Sequence, residues 1–155
     1  MMKQALTAET PAPQRAAADR VVEFFETLTP ESLDRLDDFY TPRVYFKDPF
    51  NEVRGVAELR RIFSHMYQTL EQPRFVVTER IVDGAQCFLT WNFEFRFKRF
   101  GGDQPQTVRG GSHLKFCADG RVYFHRDYWD AAEELYEKLP LLGGLMRWLK
   151  KRARQ

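Results

Sequence analysis

Residues 85–100 read AQCFLTWNFEFRFKRF. From Trp91 the run alternates without a slip, with Trp91, Phe93, Phe95 and Phe97 on one side and Asn92, Glu94, Arg96 and Lys98 on the other. A period of two with one apolar and one polar side describes a strand of an antiparallel sheet covered on one face. On its N-terminal side, Asp83-Gly84 is a favoured hairpin turn joining it to RFVVTERIV at 74–82. On its C-terminal side, Gly101-Gly102-Asp103 and Pro105 make the next turn. QTVRGGSHLKF at 106–116 and RVYFHRDYW at 121–129 then pair across Ala118-Asp119-Gly120. Residues 74–129 therefore read as an antiparallel meander. Gly110-Gly111 reads as a bulge or turn pair without the strand-to-helix context of a phosphate loop.

Upstream the period lengthens. Val21, Phe24, Phe25 and Leu28 lie at helical spacing. Thr29-Pro30 has the form of a fresh helix start, with Leu33, Leu36, Phe39 and Tyr40 as its buried stripe and Thr41-Pro42 as its stop. RVYFKD at 43–48 is a short strand broken by Pro49 and Asn51. Gly55 precedes a helix with Leu59, Ile62, Phe63, Met66 and Leu70 on one face, ended by Gln72-Pro73. Helical character returns at 131–138, and Pro140 and Gly143-Gly144 are expected to interrupt any helix beyond that point. The fold class is α+β, with helices packed on one face of a curved antiparallel sheet. The expected organisation is a flexible arm at 1–14, one domain at 15–138, and an amphipathic basic segment at 139–155.

Aromatic residues make up 15% of the 155-residue chain, 14 of them phenylalanine, which calls for a bulky core or a ring-lined cavity. The formal net charge of +2 comes from 24 basic and 22 acidic residues. Five of the cations, Arg147, Lys150, Lys151, Arg152 and Arg154, crowd the last nine positions, so the rest of the chain is mildly acidic. This balance argues against a nucleic-acid partner. No apolar run is long enough for a membrane span, and the N-terminal stretch lacks a signal core. Cys87 and Cys117 make neither a disulfide framework nor a metal site, so a reducing cytoplasmic setting is the default and no metal or cofactor is expected.

Three passages carry a family resemblance: RVVEFFETL (20–28), FYTPRVYFKDPFNEVRGVAELRRIF (39–63) and HLKFCADGRVYFHRDYWD (113–130). Together they resemble the cone-shaped fold shared by nuclear transport factor two, ketosteroid isomerase and the SnoaL-like polyketide cyclases. The resemblance implies a cavity inside a curved sheet and pairing of two copies through exposed sheet faces, with the Trp91–Phe97 face as the interface. It also implies that Asp48, at the position of the isomerase's general base, abstracts a proton or activates water, so that Asp48→Asn lowers turnover. The isomerase's oxyanion-hole partners do not carry over: Phe24 stands at the tyrosine position and Ser112 at that of the protonated aspartate.

In the last strand His125, Asp127 and Trp129 share a face by period two, and the matching face of the isomerase borders its cavity. His125 and Asp127 are the candidate acid–base pair, with Asp48 as base. Phe24, Phe46, Ser112 and Trp129 are candidate ligand contacts. Their rival readings are an Asp-Pro turn cap for Asp48 and a hydrogen-bonded pair at the sheet edge for His125 and Asp127. His113 points away from Ser112, which argues against a Ser-His dyad. The expected function is a pocket for a small, largely apolar molecule, with isomerase, cyclase or hydratase chemistry that needs no cofactor. The alternatives are a plain ligand binder and a homodimeric interaction module. Leu141, Leu142, Leu145, Met146, Trp148 and Leu149 beside the terminal cations fit a lid, an interface or a peripheral membrane contact.

Overall fold

The computed structural model describes residues 12–98, 104–136 and 140–153. Helix α1 (Ala12–Glu26) leads through a 3-10 turn (Glu31–Arg35) and the single turn α2 (Leu36–Phe39) into strand β1 (Tyr40–Lys47). Short strand β2 (Glu52–Arg54) and helix α3 (Val56–Thr69) come next. Strands β3 (Leu70–Asp83), β4 (Gln86–Phe97), β5 (Gln106–Phe116) and β6 (Val122–Tyr128) form the meander, and α4 (Ala131–Glu134) and α5 (Pro140–Ala153) close the chain. Residues 1–11 of the expected arm and the turn at Gly101-Gly102-Asp103 lie outside the described residues.

The six strands make one unclosed sheet in the order β2-β1-β6-β5-β4-β3. Its pairings are antiparallel except that of β1 with β6, which is parallel and sets Phe46 opposite His125. Meander turns Asp83-Gly84 and Ala118–Gly120 fall where expected, with Gly84 and Gly120 at φ 55° and 84°, values that suit glycine.

Helices α1 and α3 cover the inner face of the sheet and bury a core that includes Val21, Phe24, Phe25, Leu36, Phe46, Leu59, Leu89 and Leu114. Trp91 and Phe95 are buried, and Phe93 and Phe97 pack half-buried against the same core. The Trp91–Phe97 face is thus the inside of the cone and is unavailable as a sheet-to-sheet interface. The apolar pattern fixes which residues of β4 share a face; the helices determine that this face is covered. The outer face instead carries Tyr45, Phe88, Phe124 and Tyr128. Across it Arg54, Tyr45, Phe124 and Lys115 form one register row, with Tyr45 and Phe124 stacked at 5.3 Å and a cation over the ring at each end.

Four local expectations change. The helix expected to reach Leu70 and stop at Gln72-Pro73 ends at Thr69, and β3 starts at Leu70 and runs through Pro73. The helix expected after Thr29-Pro30 is a 3-10 turn plus one α turn: Thr29 and Ser32 cap each other, and β1 starts at Tyr40 and runs through Pro42. Gly110-Gly111 lies within β5, not at a turn. A Cβ at 110 would stand 2.5 Å from the Trp91 ring and one at 111 would stand 2.7 Å from the Phe88 ring, so large rings of β4 claim the space on the two faces. Pro140 opens α5 as its first residue and the helix runs on through Gly143-Gly144.

Candidate active site

The site is built on the inner faces of neighbouring strands. Ser112 on β5 and Asp127 on β6 are directly opposite one another, and Leu89 on β4 is opposite Ser112. Two residues back along β6, the alternation returns His125 to the same face as Asp127. Two residues on from Leu89 it brings in Trp91. Tyr40 enters from the start of β1, beneath the parallel β1–β6 pairing.

These residues form a continuous hydrogen-bonded chain. Trp91 Nε1–H donates to Ser112 Oγ at 2.8 Å, and Ser112 Oγ–H donates to Asp127 Oδ1 at 2.5 Å. His125 Nε2 lies 2.7 Å from the same oxygen, and His125 Nδ1 lies 3.0 Å from the Tyr40 hydroxyl. Burial, reinforced by the charge of Asp127, holds the Tyr40 hydroxyl well above the ordinary tyrosine range, so it keeps its proton. Its best acceptor is Nδ1, which assigns the imidazole tautomer with its proton on Nε2, directed at Asp127. Every donor in the chain then points toward Asp127 Oδ1. No donor among the described residues holds Oδ2.

His125 is 2% exposed and packed by rings, with Phe46 edge-on at 4.9 Å, Phe25 edge-on at 5.7 Å and Tyr40 parallel at 5.9 Å. Asp127, with 19% of its side chain exposed, sits where the protein interior meets an opening. The enclosed volume beside it is about 20 Å³, room for one water, and its walls are the Phe25, Phe63, Phe75, Val77, Leu89 and Trp91 side chains. A larger guest needs these rings to shift. The arrangement offers an oriented carboxylate in an apolar enclosure, with a hydroxyl and an imidazole locked behind it.

Of the residues expected from sequence, His125, Asp127 and Ser112 come together here, and Phe46 packs on the imidazole. Asp48 does not join them. Its Oδ1 accepts the Phe50 and Asn51 backbone N–H groups at 2.8 and 2.6 Å and the Asn51 side-chain amide at 3.1 Å. That is the turn-cap geometry that an Asp followed by Pro favours. Asp48 and Trp129 line an open groove of about 600 Å³ between the β1–β2 loop and the end of β6, where Trp129 meets Phe50 edge-on at 5.4 Å; Asp127 lines both this groove and the enclosed volume. Phe24 is stacked on Phe39 at 4.1 Å in the core and does not line the enclosed volume. His113 lies on the outer face, its Nε2 2.9 Å from Gln86 Oε1, and burial with Lys115 nearby lowers its pKa.

Sequence reasoning misses two members. The helical period assigns Tyr40 to a buried stripe, and the alternation of β4 assigns Trp91 to packing. Each carries one polar atom on an apolar side chain, and a buried Tyr or Trp normally finds that atom a partner. Among the described residues no cluster of His, Cys, Asp or Glu could hold a metal ion. No helix of the described residues is long and apolar enough to cross a membrane.

Comparison with known proteins agrees with this architecture. A putative SnoaL-like polyketide cyclase from Jannaschia sp. CCS1 superposes with a TM-score of 0.66 at 14% identity, covering 81% of this chain and 91% of that one. An LEH-like epoxide hydrolase from M. tuberculosis superposes at 0.63 with 16% identity, covering 90% and 96%. TsrD from Streptomyces laurentii superposes at 0.67 with 20% identity, covering 83% and 96%. No curated protein matches the sequence. At these identities the structural likeness speaks for the fold alone. The SnoaL-like domain family matches residues 21–125, from α1 through the imidazole at the centre of the hydrogen-bonded chain, and the protein belongs to that family.

Proposed function

We propose that the chain binds a small, largely apolar molecule in the ring-lined enclosure, widened by a shift of its rings, and acts on it by proton transfer, with Asp127 as the general base. The observation that carries this reading is the division of labour between the two oxygens of Asp127. Oδ1 is held by His125 and Ser112, while Oδ2 is left for a proton from a carbon acid or from a water. Taking up that proton leaves the bonds at Oδ1 in place, so the base is returned to its starting geometry when the proton is released. His125 is a positioning residue, itself fixed by Tyr40. The chemistry fits an isomerisation, cyclisation or water addition that needs no redox partner. Support comes from the structural neighbours of this fold that are named as an epoxide hydrolase and a polyketide cyclase.

The test uses a panel of small cyclic ketones, β,γ-unsaturated ketones and cyclic epoxides. Solvent deuterium uptake at the α-carbon, double-bond migration and diol formation are followed by NMR and mass spectrometry. Conversion of at least one member, reduced about a hundredfold or more in Asp127→Asn, is the expected result. Binding of panel members without any chemical change assigns the enclosure to a carrier instead.

A further inference from the structure

Helix α5 has a surface that nothing in the active-site chemistry uses. Leu145, Trp148 and Leu149 are 52%, 51% and 46% exposed. Their i, i+3, i+4 spacing puts them on one stripe of the helix. At about 100° per residue the exposed Arg147 falls on the opposite side, and the exposed Lys151 lies about 60° from Trp148 on the flank of the stripe. The Arg152 guanidinium lies 4.7 Å over the Trp148 ring; at i+4 from Trp148 and i+3 from Leu149 it continues the same stripe and places a cation at its C-terminal end. Residues 140–155 hold five basic side chains and no acidic one. At 14 residues the helix is about 21 Å long, too short to cross a hydrocarbon layer of about 30 Å.

We infer that α5 is an interfacial helix that docks the protein on an anionic lipid surface. Leu145, Trp148 and Leu149 enter beneath the headgroups while Lys151 and Arg152 meet lipid phosphates. Charge decides between this occupant and a second copy. A second exposed apolar surface, the outer sheet face with Ile81, Phe88 and Tyr128, carries Lys115 and Arg126 together with Glu52, which pairs with Lys47 and accepts from Tyr45. Pairing α5 with itself would set cation against cation. A bilayer containing anionic lipid supplies both an apolar interior for the stripe and negative charge for its flanks, and Trp is favoured at that depth.

The full chain is sedimented with vesicles of phosphatidylcholine and with vesicles of phosphatidylcholine containing phosphatidylglycerol, and its tryptophan emission is recorded. The expected result is binding to the anionic vesicles alone, with a blue shift that Trp148→Phe abolishes. Lys151→Gln and Arg152→Gln should each weaken binding about fivefold. Leu145→Asp with Leu149→Asp should abolish it while circular dichroism and the thermal melt stay unchanged. Any of four results overturns the inference: no binding to either vesicle, equal binding to both, anionic binding untouched by the Leu145/Leu149 change, or a concentration-dependent dimer that the same change dissolves.

Discussion

The Tyr40 hydroxyl stands 3.0 Å from His125 Nδ1, joining the first residue of β1 to the inner face of β6. This contact selects the imidazole tautomer and through it the orientation of Asp127. Tyr40→Phe should therefore do two separable things. It leaves a buried acceptor without a donor, at a cost of about 1–3 kcal/mol in denaturant unfolding. It also releases the tautomer, so the imidazole 15N shifts of His125 should move from a single tautomer toward a mixture. Loss of stability with unchanged shifts would show that Tyr40 is structural only.

Asp48 and Asp127 should respond oppositely to amide substitution. Asp48→Asn keeps an acceptor for the Phe50 and Asn51 amides and should leave binding and any turnover close to wild type. Asp48→Ala removes the cap and should cost about 0.5–2 kcal/mol. Asp127→Asn should retain the fold and lose the chemistry. A large loss of turnover in Asp48→Asn would return the base to the position that the family resemblance implied.

Cys87 provides an alkaline limit to stability. Burial pushes its thiol up from 9.0 to about 12, with Arg80 opposing. Above pH 9 the unfolded chain releases this proton and the folded chain keeps it. The contribution is therefore whole below pH 9 and declines as the pH climbs toward about 12, by about 1.4 kcal/mol per pH unit at its steepest. Tyr40 adds to the decline above pH 10 by the same sign. Cys87→Ala should flatten the fall in unfolding free energy between pH 9 and 12; an unaltered slope rules the thiol out as its source.

Gly110→Ala should damage the site from a distance. The new methyl would meet the Trp91 ring at 2.5 Å, and the ring cannot retreat without pulling Nε1–H off Ser112. The expected cost is about 1–3 kcal/mol. Trp91 indole N–H exchange should quicken relative to the wild type. Gly111→Ala crowds Phe88 on the other face and should leave that exchange rate alone.

Legibility in the sequence depends on how local each signal is. The alternation from Trp91 to Lys98 records one-sided burial, and it survives intact in β4. The same period puts His125 and Asp127 on one face and separates Ser112 from His113, and the observed geometry agrees. Other features need partners distant in sequence. Leu33, Leu36, Phe39 and Tyr40 fit a helical period, and three of the four do pack as such a stripe would. Tyr40 belongs to β1 because β6, some 80 residues on, offers it a strand to pair with. The role of Asp48 depends on which amides lie within reach of its carboxylate. Gly110 and Gly111 read as bulge or turn residues because their neighbouring rings are supplied by another strand. In α5 the Gly143-Gly144 pair argues for a break, yet the helix continues through it.

The parallel pairing of β1 with β6 also sets a schedule. Tyr40 and His125 are 85 residues apart in the chain, and Ser112 and Asp127 meet only when the last hairpin closes. A ribosome can release α1, β1 and α3 and most of the meander before Asp127, on which the polar chain converges, is made. Forming so distant a contact carries a large loop-closure cost, which slows folding relative to a protein of local contacts. The hydrogen-bonded chain thus closes late, and a product cut short before β6 would hold its Trp91–Phe97 rings beneath α1 and α3 with no carboxylate for Ser112 to bond.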